Sequence, residues 1–364
     1  MKIILTGGGT IGSVSPLLAI KHELVEQKMC SNSDFIWVGT EEGVEKDIIE
    51  KENFPYFSIK SGKFRRYFSK ENFIDPFRIL KGIFQSIKII RDFNPDYILS
   101  AGSFVSVPVV IAGWILRKKT IIHQQDIRPG LANKFMAPFA SKITVTFEDS
   151  KKYFSKKKTV LTGNPVRQGI FNGNKENAIK FFKLESNLPT LFIMGGSLGA
   201  EELNKFVVES ITDLIDICQV VHIVGKGNIV EWEDEDQFEN SGRYHQYEYL
   251  FHELADVYAI ADLIVCRAGL STLTELSALK KPTVLIPIPN NQQEENARYF
   301  DSKNAVITLA QEKITVDEFL ALIKNLFANP NSLERLGNNM AGMMPVDANK
   351  KYVEMIKKAK EDWK

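Results

Sequence analysis

Two glycine-rich loops, 188 residues apart, constrain this 364-residue chain more than any other feature. Each follows a short apolar run and precedes an amphipathic stretch. The first is Thr6-Gly7-Gly8-Gly9-Thr10-Ile11-Gly12-Ser13, after Lys2-Ile3-Ile4-Leu5. The second is Gly195-Gly196-Ser197-Leu198-Gly199-Ala200, after Thr190-Leu191-Phe192-Ile193-Met194. Glycines in such a turn let the backbone approach a ligand closely and present N–H groups at a helix N-terminus, which suits a phosphate. One loop of this kind is common for structural reasons alone. Two, opening halves of similar size, imply paired nucleotide-type domains that share a cleft.

The rest of the chain follows the same pattern. Strand-like runs at 2–6, 35–39, 55–59, 96–101, 119–123, 142–146 and 159–162 are separated by helix-like stretches at 16–28, 43–51, 76–93, 106–116, 130–138 and 148–154. Such alternation predicts an α/β fold with a parallel sheet covered on both faces. The polar stretch Asn172-Gly173-Asn174 marks a joint, after which strands recur near 190–194, 218–224, 243–248, 262–266, 282–286 and 305–308. The expected division is a domain over 1–165, a second over 166–345, and a helix over 346–364 that packs back on the first. Ligands of open α/β sheets bind beyond the carboxyl ends of the strands, where both glycine loops fall.

Composition narrows the function classes. A chain 44% hydrophobic and 25% charged is that of a soluble globular protein. Cys30, Cys218 and Cys266 have no metal-ligand spacing and read as reduced core thiols of a cytosolic protein. The chain enters a strand at once, which reads as no signal peptide. Its most apolar run, Phe104 to Leu116, is thirteen residues, short of the roughly 20 that span a bilayer. The net charge of +1 conceals a split: residues 1–167 carry 26 Lys/Arg against 16 Asp/Glu, and the remainder 20 against 29. An anionic partner is therefore expected for the first half, with nucleic acid and an anionic membrane surface both compatible with charge alone.

Residues 63–91 sharpen that choice. Eight Lys/Arg, among them Arg65, Arg66, Lys81 and Lys88, are interleaved with Phe64, Tyr67, Phe68, Phe73, Phe77 and Phe84. From Pro76 onward Phe77, Leu80, Phe84 and Ile87 fall on one helix face, and Arg78, Lys81, Gln85 and Lys88 on another. A helix of this kind rests on anionic headgroups, or is a crossover helix with a solvated basic face. The aromatics from Phe64 to Phe73 favour the membrane. They follow a helix face, and no nucleic-acid module is recognisable, so no nucleic-acid partner is expected.

Beyond the glycine loops, a series of blocks recurs in order. These are Ala101-Gly102-Ser103-Phe104-Val105-Ser106-Val107-Pro108, His123-Gln124-Gln125-Asp126, Pro129-Gly130-Leu131-Ala132-Asn133-Lys134 and Gly163 to Arg167. Cys266-Arg267-Ala268-Gly269 through Glu275, and Asn291-Gln292-Gln293 with Asn296-Ala297-Arg298, complete them. Together they resemble the MurG family, the cytosolic glycosyltransferases of peptidoglycan synthesis. The family transfers N-acetylglucosamine from UDP-N-acetylglucosamine to lipid I, making lipid II. The resemblance runs nearly end to end and implies the GT-B architecture, two Rossmann-like domains facing across a cleft. It also implies an inverting transferase, peripheral at the cytoplasmic face of the membrane, with a lipid-diphosphate acceptor.

The resemblance carries site roles onto individual positions. Ser197, at a helix start, can donate to a diphosphate oxygen, or serve as a plain helix cap. Glu275 corresponds to the carboxylate that accepts both ribose hydroxyls. Leu270, Ser271, Thr272, Leu273 and Thr274 correspond to residues lining the sugar and diphosphate. Gln292 and Gln293 carry amides able to donate to and accept from sugar hydroxyls. Arg167 matches an arginine near the uracil, and Phe251 a position whose backbone contacts it. Thr10, Ile11, Gly12 and Asp126 complete the implied donor contacts. No metal and no cofactor are expected, and Asp234 with Asp236 reads as a solvated acidic turn.

Four positions depart from the family pattern. Ser13 stands where the family has histidine, Ile11 replaces a glycine, Gln124 replaces glutamate and Asp126 replaces asparagine. A serine of ordinary pKa is a poor base near neutral pH, so Asp126 becomes the candidate catalytic carboxylate. A related transferase with another acceptor, a UDP-sugar epimerase, and a non-catalytic UDP-sugar-binding subunit stay open.

Overall fold

Runs such as Ile3-Ile4-Leu5 and Leu191-Phe192-Ile193 are fully buried, as a strand between two helical layers must be. The computed structural model describes residues 1–62, 71–196, 200–230 and 242–362. They form two units, Met1–Arg167 with Pro345–Lys364, and Gln168–Met344.

The first unit is built on seven strands: β1 (Ile3–Thr6), β2 (Phe35–Gly39), β3 (Tyr56–Ser58), β4 (Tyr97–Ser100), β5 (Lys119–Gln124), β6 (Lys142–Val145) and β7 (Thr159–Leu161). All pair in parallel, in the order β3-β2-β1-β4-β5-β6-β7. Five helices, α1 (Ser15–Glu26), α2 (Val44–Lys51), α3 (Glu71–Phe93), α4 (Ser106–Ile115) and α5 (Leu131–Met136), lie between them in sequence. Alternate residues of a strand face opposite layers. Ile3 and Leu5 pack with Leu17 and Leu24 of α1, whereas Ile4 packs with Ile90 of α3 and Val109 of α4.

The second unit repeats the plan with six parallel strands, β8 (Thr190–Met194), β9 (Gln219–Ile223), β10 (Tyr244–Tyr247), β11 (Leu263–Cys266), β12 (Thr283–Leu285) and β13 (Ile307–Thr308). Their order is β10-β9-β8-β11-β12-β13. Its helices are α6 (Lys175–Phe182), α7 (Glu201–Ile217), α8 (Glu253–Ile260), α9 (Leu270–Ala278), α10 (Gln292–Asp301), α11 (Val316–Ala328) and α12 (Pro330–Ala341). One layer of its core joins Leu191, Val220 and Val265 to Val207 and Leu214 of α7 and to Phe319 of α11. The last helix, α13 (Ala348–Asp362), belongs to the first unit, where Tyr352, Val353 and Ile356 are buried beside Leu17 and Trp37.

Both sheets follow the Rossmann order, in which the chain reverses direction across the sheet between the first and fourth strands. The reversal lies between β1 and β4 in one unit, and between β8 and β11 in the other. Two details differ from the sequence reading. The segment expected as a helix over 148–154 is a 3-10 turn at Glu148–Tyr153, and α3 begins at Glu71 with Pro76 inside it. All three cysteines are buried free thiols, and burial pushes those of Cys218 and Cys266 up to about 12.

Candidate active site

The strand reversal marks where each sheet can hold a ligand. In the second unit the loops leaving β8 and β11 meet this condition. Gly195 is enforced by contact, because a Cβ there would overlap that of Ala200. Among the described residues, neither α7, whose cap is Ala200, nor α9, whose cap is Gly269, receives a side-chain capping bond, and the same holds for α8 and α12. Elsewhere in the unit Asn174, Asn291 and Thr315 cap α6, α10 and α11 through their side chains. Helices that start without a cap present backbone N–H groups and a positive dipole end to an anion.

Glu275 lies on α9 and is 4% exposed. The phenol of Tyr258, from α8, donates to its Oε2 at 3.1 Å. Arg267, between β11 and α9, is also buried. Its Nη1 donates to the Ile286 carbonyl at 2.8 Å, while its Nε meets no acceptor among the described residues. Burial holds this guanidinium below its usual pKa, with Glu202 opposing. Asn296 of α10 donates to the Ala268 carbonyl at 3.1 Å and so ties α10 to the same turn.

The donor-contact candidates of this unit divide by exposure. Leu270, Leu273 and Thr274 have buried side chains, and the Thr274 hydroxyl donates to the Leu270 carbonyl at 2.6 Å. What they can offer a ligand is backbone. Ser271 and Thr272 are half-buried. Gln292 is exposed, and Gln293 accepts from Ile288 N through its side chain at 3.2 Å. Phe251 is 42% exposed, and its N–H donates to Glu253. Ser197, like Asp234 and Asp236, lies outside the described residues.

In the first unit the two motif loops come together. Gln125 Nε2 donates to the Gly12 carbonyl at 2.8 Å and to the Ala101 carbonyl at 3.3 Å, joining the loops after β5, β1 and β4. Gln124 is buried and donates to the Asp126 carbonyl at 2.7 Å, while its own oxygen accepts from Asn133 at 2.6 Å. Asp126 is thus held half-buried beside the first glycine loop. His123 sits beneath, with Thr144 and Asn164 each 2.8 Å from one of its ring nitrogens. Complete burial lowers its pKa to about 4, so it is neutral at pH 7. Arg167 is half-buried.

Ser13 is 6% exposed, and its hydroxyl lies 3.1 Å from the carbonyls of both Gly8 and Thr10. It closes its own loop. That loop is also occupied from below. Glu45 of α2, fully buried, accepts from Gly9 N at 2.9 Å and from Thr40 N at 2.8 Å, and also from the Thr40 hydroxyl. A Cβ on Gly8 or Gly43 would overlap this carboxylate. The Gly9 amide, which the sequence offers to a phosphate, is therefore engaged by an internal anion. Within Thr6–Ser13 it is Gly8 that makes room for this side chain.

On α3, Phe77, Leu80 and Phe84 are 74%, 51% and 65% exposed, and Lys81, Lys88 and Arg91 are exposed beside them. Ile87, expected on the same face, turns instead toward the core with Ile83 and Ile90. Arg78 pairs with Asp75 at 3.1 Å. The helix packs on α4, whose last turn exposes Trp114 and Ile115. These two were missed in the sequence because they end a run that reads as core. Phe64, Arg65, Arg66 and Phe68 lie outside the described residues. Among the described residues no helix is long and apolar enough to cross a membrane.

Comparison with known proteins covers both units. Residues 3–145 match the model of the glycosyltransferase family 28 N-terminal domain, and residues 190–352 that of its C-terminal domain. A Clostridium botulinum protein named UDP-N-acetylglucosamine--N-acetylmuramyl-(pentapeptide) pyrophosphoryl-undecaprenol N-acetylglucosamine transferase is 40% identical over 361 residues, 98% of this chain and 99% of its own. A Bacillus thuringiensis protein of the same name, numbered 3, is 43% identical over 332 residues, 90% of this chain and 92% of its own. The crystal structure of Acinetobacter baumannii MurG superposes with a TM-score of 0.69 at 23% identity, covering 98% of this chain and all of that one.

Proposed function

This chain belongs to glycosyltransferase family 28, and on that premise we infer that it transfers N-acetylglucosamine from UDP-N-acetylglucosamine to the lipid-linked N-acetylmuramyl-pentapeptide, lipid I, forming lipid II. The observation that carries this reading is 40% identity over nearly the full length of a transferase with that named activity. The second unit supports it chemically. Two helix starts without a side-chain cap among the described residues, a buried arginine whose Nε meets no acceptor among them, and a buried carboxylate lie at one strand reversal. Amides and arginine suit a diphosphate, and the carboxylate suits a vicinal diol. Ser197 and the backbone of Leu270 to Thr274 would hold the diphosphate, and Glu275 the ribose. Arg167 and the Phe251 backbone would serve the uracil, and Gln292 with Gln293 the sugar.

In the reaction the acceptor hydroxyl attacks the anomeric carbon from the face opposite UDP. The carbon–oxygen bond to the diphosphate breaks, and the attacking hydroxyl gives up its proton. Asp126 is the residue we assign to receive it. Ser13 hydrogen-bonds carbonyls of its own loop, and His123 is buried among neutral partners. Asp126 stands on a loop held by Gln124 and Gln125 beside Thr10, Ile11 and Gly12. Asp126→Ala is expected to lower turnover by about 10² or more, on the usual scale of acid–base groups; unchanged turnover removes Asp126 from the mechanism.

The acceptor is lipid-linked, and the exposed row Phe77, Leu80 and Phe84 with Lys81 and Lys88 supports docking at an anionic membrane, at its cytoplasmic face. UDP release from UDP-N-acetylglucosamine, with and without a lipid I analogue, tests the transferase reading. Release that depends on the acceptor is expected. Donor binding without acceptor-dependent release would point instead to a sugar-nucleotide-binding subunit.

A further inference from the structure

We propose that Tyr258 is a positioning residue for donor recognition: its phenol pre-turns the Glu275 carboxylate toward the ribose of the uridine nucleotide. The proposal rests on the reading of Glu275 as the ribose acceptor given above. Tyr258 is fully buried on α8, and its hydroxyl donates to Glu275 Oε2 at 3.1 Å. The same hydroxyl lies 3.7 Å from Met194 Sδ, on the residue that ends β8 and precedes Gly195. Its ring stands edge-on to Phe192, one turn of the strand pleat earlier, with centroids 5.7 Å apart and an interplanar angle of 74°. One phenol thus touches both the carboxylate and the strand that delivers the second glycine loop.

The chemistry explains why such a group belongs there. A glutamate has three rotatable bonds before its oxygens, and binding a diol requires both oxygens in one plane and one direction. A carboxylate left to rotate pays that ordering cost each time the ligand binds. One already held by a donor does not, which is preorganisation. Burial makes the effect larger, because a carboxylate removed from water is costly unless it is hydrogen-bonded. The phenol donates and so leaves the remaining lone pairs of the carboxylate to accept, as two ribose hydroxyls require.

A structural pairing without function would affect folding stability alone, so the test reads ribose discrimination. Affinities of UDP and 2′-deoxy-UDP are measured by calorimetry for the whole protein, Tyr258→Phe and Glu275→Gln. Tyr258→Phe keeps the ring against Phe192 and removes one oxygen. It is expected to weaken UDP binding about tenfold and to shrink the UDP-to-2′-deoxy-UDP ratio, the scale of one charge-assisted hydrogen bond made less favourable. Glu275→Gln is expected to collapse the ratio further. If Glu275→Gln collapses it and Tyr258→Phe leaves it unchanged, the positioning role is refuted while the ribose reading stands. If Glu275→Gln leaves the ratio unchanged, the ribose reading fails and this inference fails with it.

Discussion

Glu45 provides the most direct test of how the first glycine loop is built. Its carboxylate accepts from the backbone N–H groups of Gly9 and Thr40 in a fully buried position. Glu45→Ala leaves both amides without their acceptor. Both hydrogen bonds are only partly buried, so each stranded amide falls at the low end of a range of about 1–3 kcal/mol and the pair amounts to about 2 kcal/mol. For a domain of this size that corresponds to a fall of about 6 °C in the melting temperature of the first unit. Glu45→Gln keeps the shape and one oxygen but turns an NH2 group toward one of the two donors, and should cost about half as much. The structure also predicts a coupling. The three atoms nearest a Cβ on Gly8 all belong to the Glu45 carboxylate. Gly8→Ala should therefore destabilise the natural chain and be nearly silent in the Glu45→Ala background. Denaturant titrations of the four proteins of this cycle measure both effects. A Glu45→Ala variant within about 1 kcal/mol of the natural chain, or additive effects of the two changes, would refute the account.

Two further outcomes follow from exposed and buried groups. Phe77→Ser with Phe84→Ser removes two rings worth about 1.5–3 kcal/mol each on burial, so binding to phosphatidylglycerol vesicles should fall more than about 100-fold in co-sedimentation; a change under about threefold would argue against this face. Burial holds His123 at about 4 and His222 at about 3, so between pH 6.5 and those values the unfolded chain binds protons that the folded chain refuses. Stability is therefore full above pH 6.5 and lost on acidification, by about 3 kcal/mol for His123 alone by pH 4, read as a falling denaturation midpoint. Either imidazole titrating near 6.5 in an NMR experiment would contradict this.

The sheet architecture was readable because its signal is local and repeated. Ile3-Ile4-Leu5 and Leu191-Phe192-Ile193 each state burial on both faces, and the stretches between them keep a helical period. The exceptions are instructive. Glu148–Tyr153 has the composition of a helix start but closes as a 3-10 turn, with Ser150 donating to the Ile127 carbonyl at 2.9 Å. Ile87 shares a spacing with Phe77 and Phe84, yet the layer beneath α3 takes it inward and leaves them out. A helical period assigns residues to a stripe, and only the neighbouring layer decides how wide the buried part of that stripe is. At the site, the loops that carry the motifs were legible. Their supports, Glu45 under one glycine loop and Tyr258 under Glu275, were not. They reach their partners across 36 and 17 residues of sequence, and nothing in a lone glutamate or tyrosine marks that partner.

The helix Ala348–Asp362 gives the molecule an order of assembly. Tyr352, Val353 and Ile356 complete the interior of a body whose other parts are all encoded before residue 168. On the ribosome the later-encoded sheet has its whole interior available first, while the earlier one lacks the residues that pack beside Leu17, Leu24 and Trp37 until this helix has been made. Synthesis and closure thus run in opposite directions.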